Sequence, residues 1–285
     1  MRTYNQTPKE TELKIVELYT SGKPSTVISR ELDTNPTTVF NVIRRYGIST
    51  RSQTQANTRY SFNHRFFEVI DTEEKAYWIG FILADGCISR GKDLIIGLKK
   101  SDEKHLGKFI SAINGNNKYQ DVVQNKFDGS YPSVRLSIRS TKMYSDLTNH
   151  GVTENKSLTA KPITMPTDLR RHFWRGVIDG DGHVCIWNQR GGYKTIEIGL
   201  CGSKPIINGF IDYVKSEIDI TLKIRPDHNI WRTNTTGKKA LKLCSLLYSN
   251  SSVSLDRKLE TYTKYVEDIS HSGHAPQVEK SSTTH

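Results

Sequence analysis

Hydrophobic positions in the first fifty residues recur every three or four places and halt at turn-forming residues. Leu13, Ile15, Val16 and Leu18 follow Pro8 and give way to Ser21-Gly22. Val27, Ile28 and Leu32 follow Pro24-Ser25, and Val39, Val42, Ile43 and Tyr46 run from Asn35-Pro36 to Gly47. This spacing predicts three short amphipathic helices, the third opened by a capping residue and a Pro at the first helical position. Further along, strand-like and helix-like runs alternate. Gly86 to Leu98 and Gly182 to Leu200 read as strand-like. Leu106, Phe109, Ile110 and Ile113 have helical spacing, which Ile207, Phe210, Ile211 and Val214 repeat. Val134-Arg135-Leu136-Ser137-Ile138-Arg139 alternates apolar and polar residues, as a strand with one buried face does.

Two apolar helical stretches stand out. Tyr77-Trp78-Ile79-Gly80-Phe81-Ile82-Leu83-Ala84-Asp85-Gly86 and Phe173-Trp174-Arg175-Gly176-Val177-Ile178-Asp179-Gly180-Asp181-Gly182 each carry a small residue four places after a Gly and close on Asp-Gly. Residues four apart share a helix face, so each stretch has a stripe without bulky side chains along which two helices can pack backbone to backbone. The Gly after each Asp suits a left-handed residue ending a helix. Docked in parallel, the helices set Asp85 and Asp181 side by side at their negative poles, where two carboxylates repel unless a cation lies between them. The expectation is a divalent-metal site. Leu83 in the first stretch stands where the second has Asp179, a difference that matters little for a metal site because the terminal Asp is present in both.

Charge points to the class of partner. Lys plus Arg number 41 against 30 Asp plus Glu, a formal net charge of +11, in a chain of 285 residues. Such an excess favours a polyanion, nucleic acid first. No apolar run approaches the ~18 residues needed to cross a bilayer, and Met1 to Gln6 shows no hydrophobic signal-peptide core. A soluble, intracellular (cytoplasmic), DNA-associated protein with no membrane partner is expected. Cys87, Cys185, Cys201 and Cys244 are too widely spaced for a zinc ribbon or a disulfide framework. His183 and Cys185, close after Asp181, read as alternate positions on a strand face rather than as ligands.

The two stretches resemble the paired motifs of LAGLIDADG homing endonucleases, in the single-chain form that holds both halves of the active site. The resemblance implies an α+β fold: two pseudo-symmetric αββαββα halves forming a saddle on DNA. We read residues 71–165 as the first half and 166–267 as the second. A small all-α helix-turn-helix domain spans 1–50, a basic polar linker 51–70, and a disordered tail 268–285. The implied activity is site-specific endodeoxyribonuclease cleavage, with a staggered double-strand break at a long target in double-stranded DNA. Such genes travel in phages or mobile introns. A chain that supplies both motifs is expected to act as a monomer.

Site residues follow from chemistry and from this resemblance. Mg²⁺ (or Mn²⁺) keeps few protein ligands and fills its shell with water and phosphate oxygens. Asp85 and Asp181, with the main-chain carbonyls of Ala84 and Gly180, fit that habit. Lys156 and Lys258 lie 102 residues apart near the end of each half, where family members carry a basic residue supporting the attacking water or the developing charge; phosphate contact is the alternative. Strand residues are the candidate base readers: Ser89, Arg135, Arg139, Arg190, Arg225 and Arg232. On the third N-terminal helix, Thr37, Asn41, Arg44 and Arg45 form a plausible reading face, since Asn pairs well with adenine and Arg with guanine or phosphate. Residues 1–65 hold ten Lys/Arg against five Asp/Glu. A DNA-binding transcriptional regulator on the same fold and an RNA maturase are the competing functions. Retention of both Asp residues favours the nuclease, and a helix-turn-helix favours duplex DNA over RNA.

Overall fold

The computed structural model describes residues 7–50, 60–126, 129–189 and 193–271. Contacts divide the chain into two compact units, residues 1–60 and 61–285.

The first unit is trihelical. Its helices are α1 (Lys9–Thr20), α2 (Ser25–Glu31) and α3 (Pro36–Arg45). Prolines precede α1 and α2, and Asn35 caps α3 by accepting the Thr38 N–H at 2.8 Å. Ile15, Tyr19, Ile28, Val39, Val42 and Ile43 form the core. Leu13 belongs to the apolar set by spacing, yet the structure turns it outward at 55% exposure. The buried stripe of α1 runs through Ile15 and Tyr19 and leaves Leu13 off it.

The second unit contains two halves of matching topology. The first comprises α4 (Glu73–Asp85), β1 (Gly86–Ser89), β2 (Asp93–Lys99), α5 (Glu103–Ala112), β3 (Gln120–Lys126), β4 (Gly129–Arg139) and α6 (Thr141–Asn149). The second comprises α7 (Arg170–Asp181), β5 (Gly182–Asn188), β6 (Lys194–Gly202), α8 (Lys204–Ile218), β7 (Arg225–Asp227), β8 (Ile230–Thr236) and α9 (Gly237–Tyr248), then a further helix, α10 (Asp256–His271). Each half is αββαββα around an antiparallel four-stranded sheet, ordered β1-β2-β4-β3 and β5-β6-β8-β7. The strand-like run after the first motif is a hairpin: Arg90 and Gly91 both take positive φ, which turns the chain between β1 and β2. One continuous core joins the halves through α4 and α7.

Two expected boundaries shift. Within the 51–70 linker, residues 61–70 fold onto the first half instead of running free. Phe66, Phe67 and Ile70 are buried, Ser61 exchanges hydrogen bonds with Asn116, and the Asn63 N–H donates to the Ile113 carbonyl. Three large apolar side chains in ten residues are enough to dock such a segment. At the other end, Asp268 to His271 complete α10 rather than opening a tail, and Asp268 pairs with Lys194 at 2.7 Å. Residues 51–59 and 272–285 lie outside the described residues. No described helix is long and apolar enough to cross a membrane.

Candidate functional site

The motif helices α4 and α7 meet through their small residues. A Cβ added to Gly80 would collide with the Phe173 carbonyl oxygen, and one on Gly176 with that of Tyr77. One on Gly180 would strike the Ala84 methyl. The backbones touch, so overpacking has no side chain to push aside. The pairing is parallel and brings both C-terminal ends, with Asp85 and Asp181, to one place. Gly86 and Gly182 are not left-handed there. Both are extended, with φ of −78° and −97°. Glycine is required for close approach instead: a Cβ would lie 2.7 Å from Ile82 O at Gly86 and 2.6 Å from Ile178 O at Gly182.

Both carboxylates are exposed on the residue scale, but protein crowds them, and that desolvation raises the pKa of each. Asp181 is pushed up to about 6, by desolvation first and then by the negative charge of Asp85, while Lys156 and Lys258 oppose the rise. For Asp85 the foremost opposing charge is Lys258, a residue of the other half. The ends of two helix dipoles add to this negative field. A hard divalent cation with oxygen ligands suits such a pair. No cluster of three or more His, Cys, Asp or Glu residues suited to a metal occurs among the described residues. His183 is engaged by Glu197 at 3.0 Å, and all four cysteines are free.

The two lysines are buried, at 7% and 1% exposure. Lys156 Nζ donates to the carbonyls of Ala84, at 3.2 Å, and of Gly86. Lys258 Nζ donates to the carbonyls of Ile178, Asp179 and Gly182 at 2.5, 2.9 and 2.6 Å. Each ammonium therefore ties together carbonyls at and just beyond the end of its motif helix. Burial depresses both amines, Lys258 to about 8. The Ala84 carbonyl, one of the expected metal ligands, accepts from Lys156. Gly180 serves the helix contact.

Asp179, a position where the two motifs differ, is held at the centre of a buried hydrogen-bond network. Asp179 is 1% exposed. It accepts three hydrogen bonds, each of 2.7 Å, from Tyr77 Oη, Tyr248 Oη and the Leu255 N–H. His105, held neutral by burial that drives its pKa down to about 3, bonds Tyr77 Oη through Nε2 at 2.9 Å. Since the Tyr77 hydroxyl hydrogen goes to Asp179, His105 Nε2 is the donor. Arg175, fully buried, donates to Val253 O, Leu247 O and Glu73, and Glu73 accepts the Ser252 N–H. The signal lay in the sequence: charged residues on a helix buried all round must find partners.

The nucleic-acid candidates scatter over the two sheets and α3. Arg135 and Arg139 project from the open face of β4, opposite buried Val134, Leu136 and Ile138. Ser89 is half-buried at the end of β1, and exposed Arg225 pairs in register with Arg232 across β7 and β8. Asp93 holds Arg139 at 3.1 Å and Asp227 holds Arg232 at 2.7 Å, so a phosphate must compete with these carboxylates. Arg190 lies outside the described residues. Thr37, Asn41, Arg44 and Arg45 are all exposed on α3, although Arg45 is already paired with Glu12.

Two αββαββα halves joined through Asp-terminated helices make this a LAGLIDADG fold. No protein-family model matches the chain, and no curated protein does. Among solved structures it is similar to the homing endonuclease I-WcaI bound to its DNA recognition sequence, with 15% identity, a TM-score of 0.49, and coverage of 76% of this chain and 96% of that one. The LAGLIDADG meganuclease I-AabMI bound to uncleaved DNA gives 9%, 0.45, 70% and 92%. Full-length WhiA from Thermatoga maritima gives 14%, 0.43, 74% and 71%. At such identities the likeness concerns backbone architecture and leaves activity to the site.

Proposed function

We propose that the chain is a site-specific, divalent-metal-dependent DNA endonuclease that makes a staggered double-strand break at a long target. What supports this above all is the meeting of Asp85 and Asp181 at the ends of two helices in backbone contact, a costly arrangement of like charges. Their desolvated oxygens are the residues that would hold Mg²⁺ or Mn²⁺. When bound, the ion neutralises charge at phosphorus and supplies an activated water. The chain's own part is to keep those oxygens fixed. Lys156 and Lys258 tie down the helix ends and set positive charge beside the carboxylates. The open strand faces, with Arg135, Arg139, Arg225 and Arg232, offer a basic surface to duplex DNA. The trihelical unit adds a helix-turn-helix contact through α3.

The test is to rejoin the DNA that flanks the gene, giving the candidate target, and to incubate it with protein and Mg²⁺. Cleavage of both strands at one site is the expected result. Tight binding without cleavage would move the protein to the regulator class, and failure to bind duplex DNA would favour an RNA substrate.

A further inference from the structure

The segment between α9 and α10 carries no regular structure, yet side chains of the motif helices hold it, together with the last turn of α9. Arg175 holds the carbonyls of Leu247 and Val253 at 3.0 and 2.8 Å, and Glu73 takes the Ser252 N–H at 2.8 Å. Asp179 closes the series, taking the Tyr248 hydroxyl at one end and the Leu255 N–H at the other. Leu255 is where α10 is anchored, since its carbonyl accepts from the Lys258 and Leu259 N–H groups. Lys258 lies in the first turn of that helix, and its Nζ reaches back to the end of α7.

We propose that Asp179 is a positioning residue: by fixing where α10 begins, it holds the Lys258 ammonium against the helix end that carries Asp181. Direct surface ties compete for this role. Lys108 donates to Ser254 O at 2.9 Å and pairs with Asp256, and Arg257 bonds Asp102 at 2.9 Å. These pairs are partly exposed, and such pairs contribute little. A carboxylate buried with three donors, by contrast, has no solvent to replace it. The first half does without the device. Leu83 and Phe173 stand at the positions matching Asp179 and Tyr77, and Lys156 is delivered by a short 3₁₀ turn following left-handed Asn155.

The significance of this for cleavage rests on the nuclease reading, but the geometry can be tested without it. Trace acetylation of the lysines, read by mass spectrometry, should show Lys258 and Lys156 protected in the wild-type protein. Asp179→Leu, which copies the apolar residue of the other half, should speed Lys258 modification roughly tenfold, the factor for loss of the Leu255 N–H bond alone at about 1.4 kcal/mol. Lys156 should not change. Tyr248→Phe, a smaller lesion that guards against misfolding, should move Lys258 in the same direction, and Lys108→Ala should not. Unchanged Lys258 reactivity in both Asp179→Leu and Tyr248→Phe overturns the proposal, as does an equal rise at both lysines. On a cleavable target with each strand labelled, Asp179→Leu should reproduce the strand ratio of Lys258→Met, and a different ratio overturns it. If the wild-type protein cuts nothing, the nuclease reading fails and the acetylation result still decides the positioning role.

Discussion

The two halves share strand order, helix order and an Asp at the end of the motif helix, yet they secure their lysines by different means. In the first half Lys156 sits on a single 3₁₀ turn and satisfies two carbonyls. In the second, Lys258 belongs to a 16-residue helix with no counterpart and satisfies three. The polar pair Tyr77–Asp179 crosses the helix interface in one direction, whereas Phe173 and Leu83 hold the matching positions in the other. A duplicated fold can thus keep the helix-end carboxylates alike while their support diverges. An apolar contact has a volume to fill but no direction to satisfy; a buried carboxylate with three donors must meet each of them. The second half should therefore be the more fragile to polar substitutions and the first to changes of volume.

The largest effects should come where the halves are alike. Asp85→Asn and Asp181→Asn should each lower double-strand cleavage more than about a hundredfold and leave DNA binding nearly unchanged, as gel-shift and cleavage assays on one target will show. If only one of them matters, the halves differ in chemistry as well as in support. Gly80→Leu and Gly176→Leu should both destabilise by about 1–3 kcal/mol or more, because each added side chain meets backbone of the opposing helix. Thermal melts that spare either variant would mean the helices do not pack as described.

Smaller effects should separate the halves. Lys258→Met removes three hydrogen bonds to carbonyls and Lys156→Met two. At about 1.5–3 kcal/mol for a hydrogen bond to a charged group, the first should melt lower, and the reverse order would mean the two halves do not differ as described.

A pH effect should follow from Asp181. Its folded pKa of about 6 lies above the ordinary carboxylate value, so the folded state holds the proton more tightly. That favourable contribution is complete below the unfolded pKa and is lost as pH rises through about 6. Without divalent cation, Asp181→Asn should therefore melt a few degrees higher than wild type at pH 8 and no higher at pH 4. The group is exposed enough that solvent screening keeps the gain to about 1 kcal/mol. A melt at pH 8 no higher than wild type would remove the repulsion argument. Last, deleting residues 1–50 should weaken binding and shorten the footprint at one end only, with cleavage at saturating protein kept. An unchanged footprint would assign the trihelical unit to another partner.

Much of this architecture was legible in the residues. Period and capping marked α1 to α3, and strict alternation marked β4, because those segments have one wet face and one dry face. The paired Asp residues were legible because glycine stripes leave few ways to pack two helices. Less visible were the features that depend on partners distant in sequence. Asp179 meets Tyr77, 102 residues away, and Tyr248, 69 residues away. Lysine defaults to solvent, so nothing local announced that Lys156 and Lys258 would be buried against helix ends. Phe66, Phe67 and Ile70 could have warned that the linker ends early, since polar neighbours hid an apolar cluster.

The cation site proposed at Asp85 and Asp181, where the two helices meet, can be followed through the ion itself. Titrating Mn²⁺ into the protein on its target duplex, and following free Mn²⁺ by electron paramagnetic resonance, tests it most directly. Wild type should bind Mn²⁺ saturably, and the Asp85→Asn/Asp181→Asn double variant should lose that binding with DNA still bound. Equal Mn²⁺ uptake by the two proteins would contradict it.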